Sequence, residues 1–552
     1  MQTNPFIMKK LFIYTLILVF ITACKSRNSD FNNALKSINT GDLEEYVSTV
    51  GSDSFMGRAP FTEGETLTTN YLATQLEQIG FKPAFNGSYF QDVPLSEISS
   101  SINRVTIAKS SEKILSFKVP DEVTIISPQL KKAVEIVNSE MIFAGFGIVA
   151  PEYAWDDYTG LDVKGKTVIV LVNDPGLYTG DTLLFKGREM TYYGRWTYKY
   201  EEAARQGAAG IMIIHETEGA GYGYNIPRKS SITPNFYLQS ADSNRSLCQY
   251  TGWFSADAAD ALFEYRGYNV NKLRMEACKK EFRGFDLKLN ISMTILNNIR
   301  YNKSLNVAGI LKGSENPDEC IIYTAHWDHL GVGEKENGDS IYNGAIDNGS
   351  SIAWELAIGK AFSVLKKKPQ KSIILFFPTA EEQGLLGSAY YVDHPPVAIE
   401  KTVACINNDA ILPVGRMKDV TIIGYGQSDL DSLTAIAAAM QDRYITGDID
   451  SHTGMYFRSD HFSFAAKGVP SLYAKGSTES LEHGKEWAAA QVKEYIENRY
   501  HRPADNYNPE TWNFEGIAED AALAFTIGYQ LSNSDFFPQW KPGSEFRQLR
   551  TR

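Results

Sequence analysis

The chain has 552 residues, of which 43% are hydrophobic and 22% are charged, so it is long enough for several domains and can bury a hydrophobic core. Lys and Arg number 54 against 66 Asp and Glu, and the net charge of −12 argues against a protein that binds nucleic acid by neutralising phosphates. Five cysteines without zinc-finger spacing are too few for a disulfide-built scaffold.

The first 24 residues have the order of a bacterial export signal. Lys9 and Lys10 precede an apolar run over 11–21, which is shorter than the ~20 residues that span a bilayer. The run ends in Ile-Thr-Ala-Cys, which resembles a lipobox, so we expect residues 1–24 to be a lipoprotein signal and Cys24 to be lipidated. An ordinary signal peptide cut nearby is the alternative.

The rest of the N-terminal region follows from that interpretation. Residues 25–33 are polar and are predicted to be a tether. The protein is then an exported cell-envelope lipoprotein, on the periplasmic or surface side, which meets the membrane only through Cys24. No feature of the sequence indicates an oligomeric state.

Three segments of different texture follow the tether. Residues 34–127 open the folded part, with an amphipathic helix over 63–80. Short β-like runs with many Gly and Tyr over 128–270 indicate a separate, inserted α+β module. Over 271–535, apolar strands alternate with helices, which predicts an α/β domain with a doubly wound, mostly parallel sheet. Residues 536–552 are a C-terminal tail.

Residues 160–167 have the letters of a phosphate-binding P-loop, Gly-x-x-x-x-Gly-Lys-Thr. That loop needs a strand before it and a helix after it, because the amides at the helix N-terminus face the phosphate. Here a β-like run over 168–172 follows instead. We therefore do not predict a nucleotide site.

Acidic residues and histidines follow the predicted strands of the last segment. In open α/β sheets the ligand site lies beyond the carboxyl ends of the strands. Three pairs follow predicted strands: His326 and Asp328 follow 320–325, Glu381 and Glu382 follow 372–377, and Asn407 and Asp409 follow 402–406. Asp347 and Asn348 precede a predicted helix, and Tyr500 and His501 come near the end of the chain.

Carboxylates gathered at one sheet edge raise each other's pKa, and cations would resolve this conflict. Imidazoles beside carboxylates suit Zn²⁺ better than Mg²⁺ or Ca²⁺. A two-metal site needs one bridging carboxylate and roughly two more ligands for each ion, which the set provides. Each residue alone has an ordinary explanation, such as an N-cap for Asp347. Their joint order favours a metal centre.

In this order the five motifs resemble those of the co-catalytic zinc aminopeptidases of the aminopeptidase Y and glutamate-carboxypeptidase type, metallopeptidase family twenty-eight. The resemblance extends from the Gly57-Arg58 region to about residue 530 and implies the zinc-exopeptidase fold. The module over 128–270 looks like the protease-associated domain that is inserted in this family.

The resemblance also implies roles for single residues. Two zinc ions per chain are expected, with Asp347 as the bridge, His326 and Asp409 at one ion, and Glu382 and His501 at the other. Asp328 would orient His326 or its backbone. Glu381 would be the general base, and Tyr500 would help to stabilise the oxyanion.

The implied reaction is hydrolysis of the N-terminal peptide bond of oligopeptides, so peptides are the predicted substrates. An aminopeptidase is favoured over a carboxypeptidase because an acidic site can bind a free amine, whereas a terminal carboxylate needs a cationic clamp. Arg416 and Arg458 are candidates for such a clamp. A carboxypeptidase, dipeptidase or glutaminyl-cyclase-like activity on the same metals, or a non-catalytic receptor on the same fold, are the alternatives.

Three further groups of residues complete the predictions. The other histidines, including His329, are expected to hold no metal, and His329 is interpreted as a loop neighbour of His326. The segment Ser459-Asp460-His461 resembles a family segment near the substrate pocket and is expected to support that pocket. A disulfide between Cys248 and Cys278 is left open.

Overall fold

The computed structural model describes residues 29–109 and 112–550. Cys24 and the predicted signal lie outside the described residues. Residues 29–37 are helical, and the Phe31 ring stacks on Phe525 with 5.7 Å between centroids. The predicted tether is therefore wrong for residues 29–33, whose aromatic ring buries apolar surface against the domain. In the described ranges no helix is both long and apolar enough to cross a bilayer.

A large sheet organises the molecule. Within the described residues it joins 16 strands. These strands are Lys82–Pro83, Phe90–Lys109, Glu112–Phe117, Val123–Ile126, Ala133–Phe143, Thr167–Leu171, Gly210–Ile214, Asn235–Leu238, Tyr250–Phe254, Phe285–Leu311, Asn316–Thr324, Lys371–Phe377, Thr402–Asn407, Asp419–Ile423, Tyr444–Gly447 and Ser471–Lys475. Two short hairpins, Val149–Ala150 with Trp155–Asp156 and Gly331–Glu336 with Asp339–Tyr342, lie outside it.

The α-helices of the described residues lie before, between and after these strands. After 29–37 they are Thr40–Val50, Glu63–Gln78, Pro175–Thr179, Trp196–Arg205, Thr217–Ala220, Asn225–Ile232, Ala256–Tyr265, Val270–Ala277, Ser351–Ser363, Leu386–Asp393, Leu430–Ala439, His461–Ala465, Gly484–Asn498 and Glu515–Ser532. The helix predicted over 63–80 is confirmed, with its end two residues earlier.

One half of the sheet, which includes the strands from Asn316–Thr324 to Ser471–Lys475, is mostly parallel. Asn316–Thr324 pairs in parallel with Lys371–Phe377 on one side and with Thr402–Asn407 on the other. One face of these strands packs against the helices Ser351–Ser363 and Glu515–Ser532, and the opposite face packs against shorter helices through residues such as Tyr391 and Phe464. Burial on both faces explains why these strands are continuous apolar runs. The predicted α/β fold with a mostly parallel sheet is confirmed.

Two long antiparallel strands connect this half to a second hydrophobic core. Phe90–Lys109 and Phe285–Leu311 pair along most of their length. The buried residues of the second core run from Val105 to Ile295, so it extends on both sides beyond the predicted range 128–270. The composition of the sequence does not show the boundaries of the second region, because each long strand contributes to both cores.

Two details of the second region answer questions raised by the sequence. A strand, Thr167–Leu171, follows the Gly-Lys-Thr turn, as expected for a segment that is not a P-loop. Cys248 and Cys278 are both buried free thiols, and burial raises their pKa values to about 12 and about 11.

The C-terminal residues pack on the molecule. The Trp540 indole N–H donates to the carbonyl of Gly468 at 2.9 Å. Glu545 accepts a hydrogen bond at 3.0 Å from the ammonium group of Lys186, which lies in the second region. The segment predicted as a tail therefore contacts both halves of the protein.

Candidate active site

The predicted site residues converge at the carboxyl ends of the parallel strands. Thr324 is level with Phe376 and Asn407 in the neighbouring strands. The residues that follow these strand ends are His326, Glu381 with Glu382, and Asp409; Asp347 precedes the helix Ser351–Ser363, and His501 follows the helix Gly484–Asn498. Parallel register thus brings distant segments of the chain to one edge.

A first cluster surrounds His326. Its Nε2 lies 3.4 Å from an oxygen of Asp347, 3.4 Å from an oxygen of Asp409 and 3.8 Å from an oxygen of Glu381. Its Nδ1 lies 3.1 Å from the backbone oxygen of Asp328. Because a carbonyl only accepts, Nδ1 carries the proton in this contact, which leaves Nε2 on the side of the carboxylates, where it could bind a metal ion together with them.

Asp328 contacts two residues of this cluster. Its backbone carbonyl orients His326, while one oxygen of its carboxylate accepts the backbone N–H of Glu381 at 3.1 Å. The carboxylate itself is 3.9 Å from His326 Nδ1. Asp328 therefore fixes both a predicted ligand and the predicted base.

A second cluster surrounds Glu382. Its two oxygens lie 3.1 Å from His501 Nε2 and 2.7 Å from His329 Nδ1. The interpretation of His329 as a mere loop neighbour is therefore wrong, because the loop turns back and places its ring against a predicted ligand. Donor atoms of His329, Asp347 and Glu382 lie within 4.8 Å of one another. The available sequence signal was a second imidazole three residues after His326.

Asp347 lies between the two clusters. Its Oδ1 is 3.4 Å from His326 Nε2, and its Oδ2 is 3.2 Å from His501 Nε2. The backbone N–H groups of Ile346 and Asp347 each donate at 3.0 Å to the carboxylate of Asp505, to which the sequence reasoning gave no role. The position of Asp347, with one oxygen toward each cluster, is the position that a bridging carboxylate requires.

The cluster has a strongly negative potential. Although burial lowers the pKa of His501, the charge of Glu382 and the hydrogen bonds to Asp347 and Glu382 raise it to about 10. Burial raises the pKa of Glu382, but the charge of His501 holds it at about 2. Burial and the neighbouring Asp409 raise the pKa of Glu381 well above its ordinary value. Such surroundings stabilise positive charge.

Arg58 holds the loops that carry the site. Its guanidinium is fully buried and donates to five backbone carbonyls, those of Trp327 (2.9 Å), Val50 (2.8 Å), Asn343, Gly344 (2.9 Å) and Asp347 (3.3 Å). Burial lowers the pKa of Arg58 to about 10, against the raising effect of nearby carboxylates. One side chain from the N-terminal part of the fold thus fixes the segments that bear His326 and Asp347.

The other residues singled out by the sequence have contacts of their own. Asn407 donates to Ser459 Oγ at 2.8 Å and lies 3.3 Å from His461 Nδ1, so the Ser-Asp-His segment supports the end of a catalytic strand. The Tyr500 ring stacks on His501 with 3.9 Å between centroids. Arg416, one of the two candidate clamps, is bound to Glu519 at 2.6 Å.

Residues 306–526 match the sequence profile of peptidase family M28, and this range contains every predicted site residue. The matched segment belongs to this family. Family M28 is thus the one that the motif order resembled.

Named relatives agree with this assignment. Aminopeptidase NAALADL1 of Mus musculus is 34% identical over 318 residues, which is 51% of this chain and 40% of the relative. A probable leucine aminopeptidase 2 of Aspergillus oryzae (strain ATCC 42149 / RIB 40) is 28% identical over 257 residues, which is 45% of this chain and 49% of the relative. The chain thus spans less than half the length of either relative.

A solved structure shows the same fold. The aminopeptidase from Aneurinibacillus sp. strain AM-1 matches with a TM-score of 0.51 at 18% identity, over 92% of this chain and 97% of that chain.

The donor set fits zinc. Imidazole nitrogens and carboxylate oxygens are the ligands that Zn²⁺ takes in proteins, and they occur here in two adjacent groups. Within the described residues, His329 Nε2 and one oxygen of Asp328 are buried without a hydrogen-bond partner. Buried polar atoms usually have partners, so these two atoms fit a site that binds a further group.

Proposed function

We propose that the protein is a zinc-dependent aminopeptidase that hydrolyses the N-terminal peptide bond of oligopeptides. The observation that carries this proposal is the position of Asp347, whose two oxygens face two separate groups of ligands. His326 and Asp409 would hold one ion, Glu382 and His501 the other, and Asp347 both. Zinc ions held there would lower the pKa of a bound water and polarise the peptide carbonyl.

Glu381 is the group that moves protons. It is not needed to complete either ligand set, and Asp328 holds its backbone N–H at 3.1 Å. The position of its carboxylate, 3.8 Å from the predicted ligand His326, suits a base that takes a proton from the attacking water and then gives it to the leaving amine. The Tyr500 hydroxyl would donate to the oxygen that becomes negative during attack.

The acidity of the site favours an N-terminal bond. A substrate with a free amine brings a positive charge to the carboxylates of Glu381 and Asp409, which lie together near His326. Burying a cation beside paired carboxylates is favourable, whereas a terminal carboxylate at the same place would be repelled.

The second region is proposed to be a protease-associated domain that walls the substrate cleft. Its Tyr192 ring lies 5.0 Å from Phe462, and its Met190 backbone N–H donates to the carbonyl of Ser451 at 3.2 Å. It therefore contacts the catalytic domain on the segment that includes Ser459-Asp460-His461.

Three substrates test the proposed function. Leucyl anilide and a peptide amide with a free N-terminus are expected to be cleaved, whereas the same peptide with an acetylated N-terminus and a free C-terminus is not. Chelation should abolish turnover and added zinc should restore it. Cleavage of the acetylated peptide alone would identify a carboxypeptidase, and zinc binding without any turnover would identify a receptor.

We also propose that the protein is exported and anchored by a lipid at Cys24. The order of lysines, apolar run and Ile-Thr-Ala-Cys supports this location. Cys24→Ala is expected to lose incorporation of labelled fatty acid and to leave the membrane fraction. Cys278→Ala, which changes a buried thiol, is the control and should keep the label. Retention of the label by Cys24→Ala would contradict lipidation at this residue.

A further inference from the structure

An apolar groove lies beside the first helix of the described chain. Its volume is about 470 Å³, and its lining includes the apolar side chains of Phe31, Leu433, Met440, Tyr529 and Phe536. Met440 is 59% exposed and Phe536 is 44% exposed. Contiguous exposed apolar side chains are a common mark of sites that bind a membrane or a protein.

The helix Leu430–Ala439 extends this apolar surface beyond the groove. Ile436 is 54% exposed and lies three residues after Leu433 and four residues before Met440. Helical side chains at this spacing share one face. The three side chains therefore form an apolar stripe along the groove, of which a large part contacts water.

Three consecutive lysines, at positions 366–368, border the groove, and all three are exposed. The backbone N–H groups of the first two donate to the carboxylate of Asp30 at 3.1 Å and 3.3 Å. Asp30 directly precedes the groove residue Phe31. At the other end of the same loop, the Lys371 ammonium group donates at 3.4 Å to the carbonyl of Leu531, which also lines the groove. The lysines and the groove thus form one continuous face.

The proposed lipid anchor starts next to this face. Cys24 precedes Ser29, the first described residue, by only five positions, and a chain of five residues spans at most about 18 Å. The helix at 29–37 then leads directly to Phe31 and the groove. A lipid on Cys24 would therefore keep this face, more than any distant part of the fold, close to the bilayer.

We propose that the groove and the lysines at 366–368 bind an anionic membrane surface. Exposed apolar side chains enter the interfacial layer of a bilayer, and lysines beside them are attracted to anionic headgroups. The sequence assigned the membrane contact to Cys24 alone, and this face adds a contact made by the folded protein. The inference takes the nearness of the bilayer from the proposed anchor and does not depend on the proposed peptidase activity.

Binding through this face fixes the orientation of the active site. The lysines precede the strand Lys371–Phe377, whereas Glu381 and Glu382 follow it. The seven residues of this strand span about 23 Å, so the face and the site lie toward opposite ends of the parallel strands. The net charge of −12 makes an anionic surface repel most of the molecule. The bound protein therefore directs its active site toward the water, where peptides diffuse.

Vesicle binding without a lipid anchor tests the face alone. The chain from residue 24 onward, with Cys24→Ser, keeps every described residue and carries no lipid. We expect it to sediment with vesicles made of equal parts phosphatidylglycerol and phosphatidylcholine, and to bind vesicles of pure phosphatidylcholine more weakly. Added salt should weaken the binding to the anionic vesicles because it screens the lysines.

Lysine variants of the same chain locate the contact. Replacing the three lysines at 366–368 by Gln should weaken partitioning into the anionic vesicles about 10- to 100-fold. Asp535→Asn, which removes an exposed carboxylate next to Phe536, should strengthen it. The control replaces three exposed lysines of the second region by Gln and should bind as the unchanged chain does: Lys131, Lys132 and Lys280. Equal cleavage of leucyl anilide by all variants would show that they are folded.

A fluorescent label tests the apolar part of the face. Cys248, Cys278, Cys320 and Cys405 are buried, so a thiol-reactive dye on the chain with Cys24→Ser attaches to an introduced cysteine. The emission of a polarity-sensitive dye at Met440→Cys should shift to shorter wavelength when anionic vesicles are added. The same dye at Leu183→Cys, which is at an 87% exposed position of the second region, should not shift.

Four outcomes would overturn the inference. They are a lack of binding to the anionic vesicles, equal binding by the lysine variant and its control, an unchanged emission at position 440, and a shift at position 440 without vesicles in a chain that sediments as a dimer. The last result would identify a second copy of the chain as the occupant of the groove. Loss of fatty-acid labelling tests the anchor separately, because vesicle binding is measured here without a lipid.

Discussion

Glu381→Gln is expected to keep nearly all bound zinc and to lower kcat by about 10²- to 10⁴-fold, the range that a positioned general base contributes. The amide keeps the size and the backbone hydrogen bond to Asp328 but cannot take a proton from water. Metal analysis and kcat on leucyl anilide, measured on the same preparation, check both parts of the result.

A loss of zinc in Glu381→Gln would contradict the role of general base. Glu381 shares a potential metal group with His326 and Asp409, so a loss of zinc equal to the loss of turnover would show that it is a ligand. Glu400→Gln, at an exposed position in a short turn, is the matched control and should change neither quantity.

Asp347→Asn is expected to lose both zinc ions and to lower kcat/KM by about 10³-fold or more, equivalent to several kcal/mol of transition-state stabilisation. Asp347 presents one oxygen to His326 and the other to His501, and an amide has only one oxygen to offer. Metal content per chain, with kcat/KM for leucyl anilide, measures the effect.

The same Asp-to-Asn substitution at an exposed position is the control. Asp260→Asn, on the exposed side of a helix in the second domain, should retain two equivalents of zinc and full turnover. If Asp347→Asn still binds one equivalent of zinc tightly and cleaves leucyl anilide at a measurable rate, Asp347 does not bridge the two ions.

The parallel half of the sheet could be predicted from the sequence because strands buried on both faces have continuous apolar sequences. The strand predicted over 372–377 is found at Lys371–Phe377, and that over 402–406 at Thr402–Asn407. The site was accessible for a related reason, since ligands at strand ends follow such runs directly. His326 and Asp409 are examples.

What the sequence concealed depends on contacts between distant parts of the chain. Arg58 and Trp327 are separated by 269 residues, so no local pattern relates them. Asp505 supports Asp347 only because the loop after the helix Gly484–Asn498 folds back onto the segment before the helix Ser351–Ser363. The limits of the second domain were hidden because Phe90–Lys109 and Phe285–Leu311 belong to both halves.

The contacts of Arg58 affect which shortened versions of the protein can fold with an intact site. A polypeptide restricted to 306–526 would contain every predicted ligand, yet the segments around His326 and Asp347 would lose the guanidinium that binds four of their carbonyls. Truncations that start after residue 58 would therefore yield a chain with correct chemistry and misplaced ligands. Recombinant versions are best started upstream of the helix at 29–37.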